Sequence, residues 1–125
     1  MLSDARIDAT IPTADLDRAR EFYGGTLGLR PSDRPARGRE LMYECGGGTS
    51  LIVYERPSAG TAEHTLAHFV VADLDATVQD LRGRGVKFEE YDLPEITTVG
   101  GIATFDHFRA AWFRDPDGNI IGLNA

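Results

Sequence analysis

Ala14-Asp15-Leu16-Asp17 recurs as Ala72-Asp73-Leu74-Asp75, close to half the chain length further on. That spacing points to a duplicated unit, and the flanks agree. Before the first copy, Ile7-Asp8-Ala9-Thr10-Ile11 alternates as a strand does; before the second, Leu66-Ala67-His68-Phe69-Val70-Val71 does the same. After each copy the apolar residues fall at three- and four-residue steps, Leu16, Ala19, Phe22, Tyr23 in one case and Leu74, Val78, Leu81 in the other. Each set predicts a helix burying one stripe, with Asp15 and Asp73 as N-terminal caps. Gly24, Gly25 and Gly28, then Gly83 and Gly85, stand where the helices must end.

Three strand-like runs follow each helix: near residues 30–33, 40–45 and 49–55 in the first half, and 86–92, 108–114 and 119–123 in the second. Strand, helix, strand, strand, strand therefore appears twice. The first module covers about residues 5–56, the second about 66–125, and residues 57–65, with Pro57, Ser58 and Gly60, read as a linker within one α+β domain. Asp115-Pro116-Asp117-Gly118-Asn119 predicts a hairpin turn between the last two strands, because proline presets one turn position and glycine tolerates positive φ at another.

Composition narrows the function. The 125 residues, 42% of them apolar, suffice for a core without disulfide or metal staples. A net charge of −7 argues against nucleic-acid or anionic-membrane partners, which call for a basic surface. No apolar run approaches membrane-spanning length, the start reads as no signal peptide, and the lone Cys45 suits a reducing compartment, so a cytoplasmic protein is expected.

The duplicated frame, the segment Asp15-Leu16-Asp17-Arg18-Ala19-Arg20-Glu21-Phe22-Tyr23 leading to Leu27-Gly28-Leu29, and the closing Phe113-Arg114-Asp115-Pro116-Asp117-Gly118-Asn119 together resemble the vicinal-oxygen-chelate superfamily of glyoxalase, bleomycin-resistance and dioxygenase proteins. The resemblance implies two tandem βαβββ modules whose curved mixed sheets form a cup, with helices outside, the ligand inside and a homodimer as the usual assembly. Strand alternation then turns Ile7, Ala9 and Ile11 toward the first helix and Asp8 and Thr10 into the cup. In the second module Ala67, Phe69 and Val71 go beneath the helix, while Leu66, His68 and Val70 face inward.

Metal-using relatives place histidine or glutamate ligands at the inward ends of the first and last strands of each module. Seven residues before the helix-entry aspartates stand Asp8 and Leu66, four residues after the turn glycine stands Gly122, and the remaining position falls at Ile52 or Val53. One carboxylate in four positions is too few for iron, nickel or zinc, so neither metal nor other cofactor is expected. An unconventional site from Asp8, His68 and His107 is the remaining route to a metal. The favoured reading is a metal-free protein binding a small, partly aromatic or cationic compound, with Asp8, Thr10, Tyr54, His68, His107 and Trp112 as candidate contacts. The alternative is a metal-free lyase or isomerase with Asp8 and His68 as catalytic base and acid. Residues 92–106 read either as a lid hinged at Gly100-Gly101 or as an exposed excursion.

Overall fold

The computed structural model describes residues 1–34 and 38–125. They form two compact units, Met1–Gly60 and Thr61–Ala125. The first runs β1 (Ala9–Thr13), α1 (Leu16–Arg20), β2 (Arg30–Pro31), β3 (Glu40–Glu44) and β4 (Ser50–Glu55). The second runs β5 (Thr65–Val70), α2 (Leu74–Gly83), β6 (Thr98–Val99), β7 (Ile102–Thr104), β8 (Arg109–Arg114) and β9 (Ile120–Asn124). Sheet order is β1-β4-β3-β2 in one and β5-β9-β8-β7-β6 in the other. In both, the strand before the helix pairs parallel with the last strand, and every other pairing is antiparallel. The result is an α+β fold of two mixed sheets, as the duplication requires.

The repeated aspartates cap as expected. Asp15 Oδ1 accepts from the Arg18 amide at 3.1 Å and Asp73 Oδ1 from the Ala76 amide at 3.0 Å, with nearly equal backbone angles. The first helix does not continue as an α-helix. Over Glu21–Thr26 it widens to a π turn, where Leu27 N–H donates to the Phe22 carbonyl at 2.8 Å, and Gly28 closes it at φ 71°. Gly24-Gly25, poor helix formers, sit in the widened turn. Tyr23 is fully buried there and meets the ring of Tyr43 from β3 at 6.5 Å. In the second unit Leu74, Val78 and Leu81 of α2 are buried with Ala111, Phe113, Ile121 and Leu123 of the sheet.

In the second unit Ala67, Phe69 and Val71 are half-buried and His68 and Val70 exposed, as alternation requires, but Leu66, expected to share the face of His68, is half-buried where the register shifts between Thr65 and Ala67. In the first unit β1 begins only at Ala9; Ile11 and Thr13 are fully buried, whereas Ile7 is 86% exposed and Ala9 is exposed, so neither packs beneath the helix as expected. Residues 86–92 also differ from expectation. They form no continuous strand but an arm joined to the sheet by single bridges, Phe88 to Phe113 and Asp92 to Thr97. Residues 92–106 are neither open loop nor hinged lid. They contain β6 and β7, joined by Gly100-Gly101 at φ 60° and 80°, the two-positive-φ turn that a tight hairpin demands.

At the far end, the Asp115 carboxylate accepts from the Asp117 amide, the Asn119 amide and Asn119 Nδ2 at 2.8 to 2.9 Å, so both ends of the Asp-Pro-Asp-Gly turn are bound to one buried side chain. The two hairpin glycines are not equivalent. A Cβ on Gly100 would meet nothing, whereas one on Gly101 would come within 2.9 Å of Phe88 Cβ and Arg82 Nη2. Gly100→Ala is therefore expected to cost about 1–2 kcal/mol for its left-handed backbone, and Gly101→Ala clearly more; equal denaturant midpoints for the two variants would show the Gly101 packing to be immaterial.

Candidate functional site

With one helix per unit, each sheet has one face beneath the helix and one away from it. Alternation puts Asp8, Thr10 and Tyr54 on the face away from α1, together with Met42, Ser50 and Ile52. Thr10 pairs with Ile52, and Tyr54 with Pro12 and Glu40. Asp8 and Tyr54 therefore stand at opposite ends of this face, about four residues or roughly 13 Å apart along the strand.

Asp8 is already engaged. Arg6 Nη2 donates to its Oδ1 at 2.9 Å and to Ser50 Oγ at 2.8 Å, and Arg34 approaches Oδ2 at 3.7 Å. Its two oxygens thus each face a guanidinium group, so a substrate proton would have to compete with these contacts to reach it. Around Tyr54 the arrangement is different. Arg39, Glu40, Tyr54, Glu55 and Arg56 line an open concavity of about 350 Å³, with the Arg56 guanidinium 5.1 Å above the Tyr54 ring. Arg39 grips both Glu55 oxygens at 2.7 and 2.8 Å, and this hydrogen bonding draws the Glu55 carboxyl below its ordinary pKa.

In the second unit the face away from α2 carries His68, Gly122 and Trp112 in one row across β5, β9 and β8, with Val70, Asn124 and Ala110 in the next. The centre of the row is bare backbone. A Cβ at Gly122 would lie 3.1 Å from His68 Cβ and 3.4 Å from Cδ1 and Nε1 of the indole. Tyr91, from the 86–92 arm, packs edge to face on Trp112 at 5.6 Å. Among the described residues, neither the His68 imidazole nor the Trp112 N–H has a hydrogen-bonding partner, and Asn124 Oδ1 is buried with none. Tyr91 and Asn124 were not singled out from sequence. Asn124 lies two residues beyond Gly122 on the same face, so alternation alone was the available signal.

His107 is not part of this row. It is exposed in the turn between β7 and β8, where Phe105 and Phe108 stack at 4.7 Å, beyond the Arg109 end of β8 and roughly 10 Å or more from Trp112. The four positions marked for metal ligands do not fit a metal. Leu66 and Ile52 offer hydrocarbon, Gly122 has no side chain, and Asp8 is paired with arginine. Val53 is buried on the helix side, which leaves Ile52 as the relevant register. Among the described residues, no three histidine, cysteine or acidic side chains gather to hold an ion. Cys45 is half-buried, and burial first, then the Glu44 charge, pushes its thiol above the ordinary value.

A model of the Glyoxalase/Bleomycin resistance protein/Dioxygenase superfamily matches residues 6–123. Among solved structures, a glyoxalase/bleomycin resistance protein from Streptomyces sp. CB03234 is 29% identical with TM-score 0.72, covering 97% of this chain and 100% of its own. TnmS3, an antibiotic binding protein from Streptomyces sp. CB03234, is 29% identical with TM-score 0.69, covering 99% and 97%. A glyoxalase/bleomycin resistance protein from Catenulispora acidiphila DSM 44928 is 26% identical with TM-score 0.66, covering 97% of each chain. No curated protein matches the chain. Among the described residues, no helix is long and apolar enough to cross a membrane.

Two measurements check this geometry. Gly122→Ala should shift the emission and near-ultraviolet dichroism of Trp112, the only tryptophan, because the added methyl would touch the indole at 3.4 Å; an unchanged spectrum would show that the indole does not lie over Gly122. Cys45, its thiol kept neutral, should be alkylated by iodoacetamide at neutral pH more slowly than free cysteine, and a faster rate would contradict the burial described.

Proposed function

Because the chain belongs to the glyoxalase, bleomycin resistance protein and dioxygenase superfamily, we propose that it binds a small, partly aromatic molecule, without a metal ion, on the face of the second sheet around Gly122. One observation carries the proposal: His68, the Trp112 N–H and Asn124 Oδ1 surround a strip of bare backbone and have no protein partners among the described residues. A buried polar atom left unpaired costs about 1–3 kcal/mol, and a ligand that pairs with it recovers that energy. Trp112 supplies an aromatic surface beside these groups, giving the mixture of apolar wall and few polar anchors usual in small-molecule sites. The likeness to TnmS3, an antibiotic binding protein, supports a compound of that class. Proton transfer by Asp8 has less support, since two arginines already hold its carboxylate.

We propose a homodimer as the assembled form. Ile7, Val70 and Val99 are 77 to 86% exposed, and each sheet ends in edge strands that call for cover. Light scattering at micromolar concentration should give twice the chain mass.

The ligand reading is tested by screening aromatic antibiotics and metabolites for thermal stabilisation and for quenching of Trp112. For a compound that does both, His68→Ala and Asn124→Ala are each expected to weaken binding by about 1 kcal/mol, roughly fivefold, with Asp8→Asn close to wild type. Wild-type affinity in both of the first two variants would remove the proposed site, and a stoichiometric metal in protein purified without chelator would remove the metal-free reading.

A further inference from the structure

We infer that Thr98 is the positioning residue of the Trp112 surface: it fixes the Tyr91 main chain, and Tyr91 fixes the indole. This rests on the ligand face proposed above. The 86–92 arm runs between two supports. On one side Phe88 bridges Phe113, and Glu89 N–H donates to the Trp112 carbonyl at 2.8 Å. Beside these main-chain bonds, Arg114 Nε donates to Glu89 and the Phe88 ring meets Phe113 edge to face at 5.7 Å, but neither contact reaches Tyr91.

On the other side the support is specific. The Tyr91 N–H donates to Thr98 Oγ1 at 2.8 Å, Thr98 N–H donates to the Tyr91 carbonyl at 2.9 Å, and the Thr98 hydroxyl proton points to Glu90 Oε2 at 3.1 Å. Thr98 is itself 8% exposed and paired with Ala103 in the sheet, so it is a fixed point. Only a hydroxyl at 98 can accept the Tyr91 amide; valine, of nearly the same shape, would leave that amide orphaned. Arg82 clasps the same region, donating to the Gly100 carbonyl at 2.8 Å and lying 5.6 Å over the Phe88 ring.

The consequence reaches Trp112 through ring contact. Tyr91 meets the indole at an interplanar angle of 77°. A wall set nearly perpendicular obstructs rotation of the indole without stacking over it, so the aromatic surface stays in one orientation and remains available. With the arm released, the indole samples several rotamers, and a ligand must bear the entropy of ordering it.

The test reads Trp112 directly, without any ligand. Thr98→Val is expected to raise acrylamide quenching of the single tryptophan about twofold and to flatten its near-ultraviolet band, as for a side chain released to faster motion. Thr98→Ser, which keeps the hydroxyl, should restore both. Tyr91→Ala should reproduce the effect, and the double variant with Thr98→Val should be no worse than either alone. Wild-type quenching in Tyr91→Ala, or additive effects in the double variant, overturns the inference; the first of these decides even where Thr98→Val fails to fold. A parallel titration with chromone, a flat ring bearing one carbonyl acceptor, separates the two claims. Tight chromone quenching in the wild type, weakened in Thr98→Val and restored in Thr98→Ser, supports both; no chromone binding while Thr98→Val still loosens Trp112 overturns the ligand reading and leaves Thr98 as the positioning residue.

Discussion

Each unit has one helix to lay against one sheet, and a single carboxylate fixes where that helix begins. Asp15 and Asp73 accept the amide three residues on, with backbone angles alike to within about 12° in φ and equal in ψ. An N-cap contributes about 0.5–2 kcal/mol, but its geometric effect is larger than its energy. It turns the chain from strand to helix at one residue, so the same alternate side chains of β1 and β5 always fall beneath the helix. The opposite face is then left for other uses, and its residues are selected by parity.

The two units use that second face differently. In the first, several polar groups are paired with one another: Arg6 with Asp8 and Ser50, and Ser32 with Glu44. Groups already paired in this way gain little from a polar ligand, because each new hydrogen bond displaces an existing one. In the second, His68, Trp112 and Asn124 lack partners among the described residues. The proposed ligand site on the second sheet rests on the buried, unpaired Asn124 Oδ1 more than on residue type. Alternation makes both Asp8 and His68 inward polar candidates, although the module position matching Asp8 is Leu66. The arginines on either side of Asp8 make them unlike, and Arg34 reaches it from the far side of β1 in sequence.

Repetition and periodicity made the modules, caps, closing turn and the faces of β5 legible, since each rests on interactions within a few residues. What failed depended on partners further away. Residues 86–92 are apolar enough for a strand, but β7 already occupies the first half of the β8 edge, leaving the arm only the bridge at Phe113. The π turn after α1 has the same composition as a plain helix end. The poor periodicity around Gly100-Gly101 fits a hinged lid or an exposed excursion; two short runs with a glycine pair between them are also the pattern of a hairpin, and that is what forms. Asn124 carried no motif, and only the register across β9 places it beside the row of His68 and Trp112.

Gly122 joins the two halves of the functional argument. Its missing side chain removes the one donor that a metal would find on β9, and the same absence lets the indole lean across the strand to within 3.4 Å of where a Cβ would stand. His68 closes the other side at 3.1 Å, tighter than neighbouring strands ordinarily bring two such carbons together. A Cβ at 122 would therefore touch the indole and crowd His68, which would have to give by a few tenths of an ångström. The chemistry available on this face is accordingly that of Trp112, with Tyr91 beside it and His68 and Asn124 within the same two rows.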